Sequence, residues 1–517
     1  MSLVALKASI KIAKIGIFFL LAASSFRSYA ELTSSQNPEH SQLPASVITA
    51  LQKAKIPLKN TAVYLQALYE NQPVISHNAS QPFNPASVMK LLTTNAALDL
   101  LGPAYRWRTE IYTDGAVING VLNGNLLIKG YGDPSLNEAE FRRLLVSLQQ
   151  TGVKKIHGNL ILDKSYFAST VGNPVTFDAE TYRAYNAMPS AILVNSRATS
   201  FKFQAAAFSS VALNSLSLSS TAGQVSVVQE VEVTEIRIIN QLKLIQGDCG
   251  DWRNKFKYVV THEKNTATIT FTGSYSADCG DKYLELSLFN DSQYAYFIFR
   301  KLWQELGGSF SGILKSNTIT NDSATTASGI PASASKLVSQ ESKPLADVLR
   351  DINKYSNNLM ARQLLLTIAA EKSGLPATES LGKQEISAWL LNKNMTFNEL
   401  VIENGSGLSR IERISAQHLG DLLVSAYHSP VMSEFMSSLP ILGADGTVIK
   451  RLKDRPVMGR AHIKTGSIDG VSSIAGYVLD ANNKRWAIVF LVNDANAVNA
   501  KAAQDALIEW VYSSEKS

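Results

Sequence analysis

Between Asn84-Pro85 and Gly102-Pro103 the chain carries Val88, Met89, Leu91, Leu92, Ala96, Ala97, Leu98, Leu100 and Leu101, which leave almost no polar face on a helix. A helix apolar all round is a buried one. This segment therefore demands a core that wraps it on every side. Asn84 suits an N-cap, Pro85 the first helical position, and Gly102-Pro103 a stop. Without an expected leader the chain keeps about 490 residues. That exceeds the size at which a single core stops growing, so two or three domains are expected.

The leader is residues 1–30. Lys7, Lys11 and Lys14 form a positive n-region, Ile15 to Ala23 is apolar, and Ser28-Tyr29-Ala30 offers small residues for cleavage after Ala30. An uncleaved anchor is the alternative, but the apolar run falls short of the roughly 20 residues that span a bilayer. Losing the three lysines and Arg27 lowers the basic count from 49 to 45 against 43 acids, a net charge near +2. Such a balance gives no reason to expect nucleic acid. The last helix lacks a basic amphipathic face, so at most loose membrane association is expected of a periplasmic protein. Cys249 and Cys279 most simply form one disulfide in an oxidising compartment, with two buried free thiols as the rival. Two cysteines and seven histidines without His-Glu-x-x-His spacing predict no metal, and no cofactor is expected.

Alternation from Pro57 to Asn78 predicts a strand pair ahead of the buried helix. The middle of the chain shows short strand-like runs, Gly-rich turns and little helical periodicity. Thr199 to Thr272 reads as a small all-β unit, and Ser323 to Ser335 as a linker. From Leu345 helices return, one ending near Asn353 and another running from Leu359 to Glu371. Then Arg460–Thr465, Val471–Leu479 and Arg485–Asn493 read as consecutive antiparallel strands before a helix over Ala497–Val511.

Three elements carry the chemistry: Ser87-Val-Met-Lys90, Ser356-Asn-Asn358 and Lys464-Thr-Gly466-Ser467. Together they have the form found in penicillin-binding proteins and class A β-lactamases. Ser-x-x-Lys alone is weak, since it also occurs at Ser333, Ser380 and Ser513. Only at Ser87 does it open a buried helix, where a spacing of three puts Lys90 beside the hydroxyl. Taken singly, each element has an ordinary reading as a capping turn, a polar turn or an edge-strand lysine. Ser87 as the third helical residue has an amide without an intrahelical partner, suited to an oxyanion. Lys90 becomes a base for the Ser87 nucleophile if burial and a second cation lower its pKa. Ser356 then relays a proton and Asn358 holds the substrate amide. Lys464 and Thr465 grip a terminal carboxylate, Gly466 lets a peptide lie along the strand edge, and the Ser467 amide is the second oxyanion donor.

With these elements go Tyr131-Gly132-Asp133-Pro134, Pro189 to Asn195, Asn404-Gly-Ser-Gly-Leu-Ser-Arg410, Ser438-Leu-Pro440, Gly443 to Gly446 and Lys464 through Tyr477. Across them the sequence resembles the class C low-molecular-mass penicillin-binding proteins, the D-alanyl-D-alanine carboxypeptidase/endopeptidase group. The 266 residues between Lys90 and Asn357 match that group's long insertion. The resemblance implies an α+β multidomain fold with a β-lactamase/transpeptidase-like catalytic domain, an antiparallel sheet flanked by helices, and a nested, largely β two-domain insertion. The expected catalytic domain is 31–104 and 335–517, the insert 105–197 and 272–334, and the nested all-β domain 198–271. The resemblance further implies cleavage of peptidoglycan peptides and cross-links through an acyl-enzyme, with acylation by β-lactam antibiotics. It assigns Arg410 to recognition of the peptide's diaminopimelate side chain, with Asp178 or Glu180 as an acidic partner from the insert. Asp469 is expected to face the same substrate end. A β-lactamase or esterase using the same trio, and a non-catalytic wall-binding protein, are the competing readings.

Overall fold

The computed structural model describes residues 43–168, 177–178, 180–205, 225–315, 331, 333–374 and 376–513. The expected leader and most of the Ser323–Ser335 linker lie outside the described residues.

The first elements are α1 (Ala45–Lys53), β1 (Thr61–Ala67), β2 (Ile75–His77) and, after a 3₁₀ turn at Ala86–Met89, α2 (Lys90–Leu101). The chain returns to them 240 or more residues later with α3 (Leu345–Lys354), α4 (Asn358–Ser373) and α5 (Ala416–Tyr427). The strands β3 (Ala461–Ile468), β4 (Val471–Leu479) and β5 (Arg485–Asn493) follow, and α6 (Lys501–Ser513) closes the chain. The strands form one antiparallel sheet in the order β2-β1-β5-β4-β3.

Strand periodicity decides which helices cover which face, because successive side chains point to opposite sides. Tyr64, Ala475, Tyr477, Val489 and Leu491 share a core with Leu91 and Leu92 of α2, Leu365 of α4 and Leu422 of α5. Val63, Leu65, Ile474, Phe490 and Val492 face the other way, onto Val47 and Leu51 of α1 and Leu507 and Ile508 of α6. β5 is thus apolar on both faces, and its residues Trp486 to Val492 are all buried. Each large aliphatic side chain buried this way contributes about 1.5–3 kcal/mol. Helix α2 is wrapped as its composition requires, packing on α3 and α4 with residues 90–98 all buried.

Residues 108–341 build separate sheets over a different apolar cluster. A five-stranded mixed sheet runs in the order Leu314–Lys315, Leu160–Asp163, Leu126–Gly130, Arg108–Thr113, Ser335–Glu341. Within the same span, Thr199–Ala205 pairs with Val225–Gln229 and with Lys282–Leu286. Thr266–Ser276 pairs with Ile236–Ile245 and Phe256–Glu263. Phe201, Phe203, Trp252, Phe256, Phe271 and Tyr275 fill the space between these two small sheets. The Cys249–Cys279 disulfide forms, with Cα atoms 4.7 Å apart.

Three expectations need correction. A boundary after residue 271 cuts the strand Thr266–Ser276, and Lys282–Leu286, beyond that boundary, pairs with Thr199–Ala205. A boundary at 334/335 places Ser335–Glu341 in the catalytic part, but that strand pairs with Arg108–Thr113 of the insert. Finally, the insert contains two substantial helices, Glu138–Gln150 and Asp291–Glu305, the second opened by a full capping box between Asn290 and Gln293. The first keeps a legible helical stripe of Phe141, Leu144, Leu145 and Leu148 behind an Asn137 cap, whereas the second carries Tyr294, Tyr296, Phe297, Ile298 and Phe299, residue types enriched in strands.

One buried residue ties the insert to the helix that carries Asn358. Gln363 of α4 accepts from the Ser190 amide at 2.9 Å and donates to the carbonyls of Ser190 at 2.9 Å and Gly132 at 3.2 Å. No helix among the described residues is long and apolar enough to cross a membrane.

Candidate active site

Asn84 acts differently from an N-cap. Its Oδ1 accepts from the Ala86 amide at 2.9 Å, and its backbone is clamped from the end of β5, where Asn493 accepts from the Asn84 N–H at 2.8 Å and donates to its carbonyl at 2.9 Å. Ala86 is thereby held at φ 45°, and the helix starts as the 3₁₀ turn Ala86–Met89, becoming α only at Lys90. Ser87 therefore lies in a tight turn before the α-helix, not as its third residue. Its amide still has no intrahelical acceptor, because the first bond of the turn runs from Val88 N–H to Pro85 O.

The Lys90 side chain has no solvent exposure, and its Nζ is buried with it. That nitrogen lies 3.0 Å from Ser87 Oγ, 2.5 Å from Asn358 Oδ1 and 2.5 Å from the Ser406 carbonyl oxygen. Two of those three neighbours only accept hydrogen bonds. A neutral amine has two N–H donors and one lone pair, so this geometry aims the lone pair at the Ser87 hydroxyl. Burial first, and the nearby Lys464 second, push Lys90 well below the usual lysine range, with Glu412 opposing them.

Lys464 enters from β3, also without exposure, and donates to Ser356 Oγ at 2.9 Å and to the Thr465 carbonyl at 2.7 Å. Burial lowers its pKa to about 7. Ser356 sits in the left-handed region at φ 57°, in the turn between α3 and α4, and Asn357 caps α4 by accepting from the Met360 amide at 3.0 Å. That turn delivers Ser356 to Lys464 and Asn358, the first residue of α4, to Lys90.

β3 is the sheet's edge. Its first half is covered, since Ile463 N–H donates to Pro440 O at 2.8 Å and Leu442 N–H to Ala461 O at 2.9 Å. Every second residue points its amide to the same edge, so Thr465 and Ser467 face outward with Ile463. Gly466 is required from the opposite side to that expected. A methyl group there would lie 2.4 Å from Ser473 Oγ, 2.6 Å from Pro85 O and 2.8 Å from Ser87 N. The glycine thus lets the strand pass directly beside the Ser87 turn, bringing the Ser467 amide close to it.

The accessory residues converge in part. Exposed Arg410 donates to the Asp469 carbonyl at 2.9 Å and lies 4.9 Å over the Phe177 ring. Asp178, next to Phe177, accepts from Tyr185 Oη at 3.0 Å and Asn186 Nδ2 at 2.6 Å. Glu180 is exposed and turned towards Tyr258, 3.4 Å away, so of the two acids it is Asp178 that adjoins the Arg410 contact. A cavity of about 620 Å³ runs from Tyr355, Ser356 and Asn358 to Tyr185, Ser196 and Glu230 of the insert. Sequence reasoning missed Ser406, Glu412, Asn493 and Thr447, whose hydroxyl lies 2.9 Å from that of Thr465. Ser406 acts through its carbonyl, which side-chain identity does not advertise. The other three lack a spacing signal. Among the described residues no group of three or more His, Cys, Asp or Glu is placed to hold a metal ion.

A family model described as the D-Ala-D-Ala carboxypeptidase 3 (S13) family matches residues 43–513. Among proteins of similar sequence, D-alanyl-D-alanine carboxypeptidase DacB of Haemophilus influenzae is 26% identical over 437 residues, 84% of this chain and 85% of that protein. D-alanyl-D-alanine carboxypeptidase of Actinomadura sp. strain R39 is 26% identical over 415 residues, 79% of this chain and 73% of that one. The crystal structure of penicillin binding protein 4 (dacB) from Haemophilus influenzae matches with a TM-score of 0.71 at 24% identity, covering 90% of this chain and 99% of that chain. A structure of the same protein complexed with a β-lactam matches at 0.68. Every described residue lies within the bounds of the family match, and the chain belongs to the D-Ala-D-Ala carboxypeptidase 3 (S13) family of serine-type hydrolases.

Proposed function

We propose that this D-alanyl-D-alanine carboxypeptidase cuts peptidoglycan stem peptides, and the cross-links between them, through an acyl-enzyme on Ser87. The observation that carries the assignment is the Lys90 nitrogen, 3.0 Å from Ser87 Oγ with acceptors at its other two positions. In acylation the Ser87 O–H proton passes to Lys90 as Oγ bonds to the D-Ala carbonyl carbon. The Ser87 and Ser467 amides receive the oxyanion. Collapse breaks the C–N bond, and the proton that Lys90 took from Ser87 passes through the Ser356 hydroxyl, which Lys464 orients, to the leaving amine, restoring the neutral Lys90. Thr465, with Thr447 beside it, and Lys464 meet the terminal carboxylate, while Asn358 holds the substrate amide. Water then releases the acyl group. Arg410, Asp469 and Asp178 recognise the side chain of the donor peptide. The 620 Å³ cavity beyond Ser356 supports a leaving group larger than alanine, hence cleavage of cross-links.

The segregated cores support a nested organisation, with a catalytic part at about 43–107 and 342–513, an insert at 108–198 and 287–341, and a β unit at 199–286. The leader at 1–30 supports export and a periplasmic site of action.

Fluorescent penicillin should label the protein covalently and persistently, and peptidoglycan fragments should lose D-Ala or split from dimer to monomer by mass spectrometry. Ser87→Ala should abolish labelling and cut turnover by at least about 10³-fold. Labelling or turnover that survives Ser87→Ala defeats the assignment, and rapid release of hydrolysed penicillin would instead mark a β-lactamase.

A further inference from the structure

Close to Lys90 lies a buried carboxylate with no role in the steps above. Glu412 has no solvent exposure. Its Oε1 accepts three consecutive backbone amides, those of Glu403, Asn404 and Gly405, each at 3.1 Å. Its own amide donates to Ser409 Oγ at 3.0 Å. The 403–408 turn is therefore wound around this one side chain. Asn404 tightens it by accepting from the Ser406 amide at 2.9 Å and Ser406 Oγ at 2.7 Å, and Thr93 Oγ1 donates to the Gly405 carbonyl at 2.7 Å. The turn is jammed against the nucleophile's own backbone, since a methyl at Gly407 would lie 1.9 Å from Ala86 O and 2.7 Å from Ser87 N. What it presents to the site is the Ser406 carbonyl, 2.5 Å from Lys90 Nζ.

The charge arrangement is equally specific. Lys464 from β3 and Glu412 are the charged groups that act on Lys90, and they act in opposite directions. Glu412 Oε2 is buried without a hydrogen-bond partner among the described residues. Two buried lysines and one buried carboxylate thus lie close together. Burial pushes the Glu412 carboxyl above its usual range, while the Asn404, Glu403 and Gly405 amides and then Lys90 act in the opposite direction and favour the carboxylate. When Lys90 takes the Ser87 proton it becomes an ammonium beside a second amine, and that carboxylate is the charge that steadies it.

We propose that Glu412 is a positioning residue for acylation: it holds the Glu403–Ser406 turn that aims the Ser406 carbonyl at Lys90, and its charge supports the ammonium that Lys90 becomes. The proposal rests on Ser87 and Lys90 acting as nucleophile and base. The proton balance is simple: the Ser87 O–H bond breaks, a Lys90 N–H bond forms, and Glu412 neither gives nor takes a proton.

The test is the pH profile of acylation by a chromogenic or fluorescent penicillin, with Ser87→Ala as the blank. Glu412→Gln keeps an oxygen for the three amides and removes the charge. Lys90 then becomes the weaker base, so its protonation moves to lower pH. The acid limb should shift to lower pH and the plateau rate should fall by about tenfold, with thermal stability measured alongside. Glu412→Asp keeps the charge and should leave the acid limb at the wild-type position. A Glu412→Gln profile that overlays wild type overturns the proposal. So does a Glu412→Asp limb displaced to lower pH, and this arm holds even if the glutamine variant does not fold. Failure of wild type to be labelled at all would instead overturn the underlying Ser87 reading.

Discussion

Lys90 and Lys464 bring two lysine side chains into one cleft with no exposure to water, and the fold carries that cost in order to keep an amine neutral beside a hydroxyl. The consequence for stability follows from linkage. Lys464 titrates near 7 when folded and near its ordinary 10.5 when unfolded, so between those pH values the unfolded chain holds more protons. Stability contributed at this position is therefore lowest below pH 7 and recovers as pH rises towards 10.5. Lys464→Met, which has similar length and no charge, should raise the melting temperature most at pH 6–7. The gain should shrink by pH 10, while D-Ala release is lost. A gain that does not depend on pH would contradict a neutral, buried Lys464. Composition foresaw the buried setting of Lys90 because the apolar helix around it has no polar face. It could not foresee that Lys464 binds Ser356 rather than the cleft's solvent, since that contact joins residues 108 positions apart.

Two elements meet at the nucleophile, the 3₁₀ turn ahead of α2 and the edge strand β3, and the space between them is the width of a glycine. Gly466→Ala would put a methyl 2.8 Å from Ser87 N and 2.6 Å from Pro85 O, both backbone atoms that cannot rotate away. A displacement of about 1 Å in a reacting group can cost on the order of 10²-fold in rate. Gly466→Ala should accordingly slow penicillin acylation by about 10²-fold while the protein remains folded by circular dichroism. Acylation at the wild-type rate would show that the strand and turn are free to separate. The strands themselves were legible: apolar, β-branched runs between turn residues placed β4 and β5 to the residue and β3 to within a few. The start of α2 was not, because Asn84 is held by Asn493 from the end of β5, and a long-range clamp overrides the local capping preference. The helix Asp291–Glu305 was missed although Asn290 and Gln293 spell its capping box, since the run Tyr294 to Phe299 is dominated by aromatic and β-branched types that favour strands as readily.

At the scale of the molecule, the site residues belong to cores distinct from the one that includes the disulfide. Cys249 and Cys279 close a loop with a sequence separation of 30 inside the β unit, for which chain entropy predicts about 3.6 kcal/mol of stabilisation. A Cys249→Ala/Cys279→Ala variant should therefore unfold at lower temperature yet label with penicillin as wild type does. Loss of labelling together with stability would mean that the β unit and the cleft unfold as one. The sequence alone determined the wrapped helix, the run of three consecutive strands and the residue types of the three catalytic elements, because periodicity and chemical identity are local properties. Only the tertiary structure decided which atoms meet: that Ser406 offers a backbone carbonyl to Lys90, that Glu412 lies close by, that Ser335–Glu341 returns to the insert, and that Gly466 serves the Ser87 turn. Those contacts join segments brought together by sheet pairing and core packing, and no spacing along the chain encodes a distance across it.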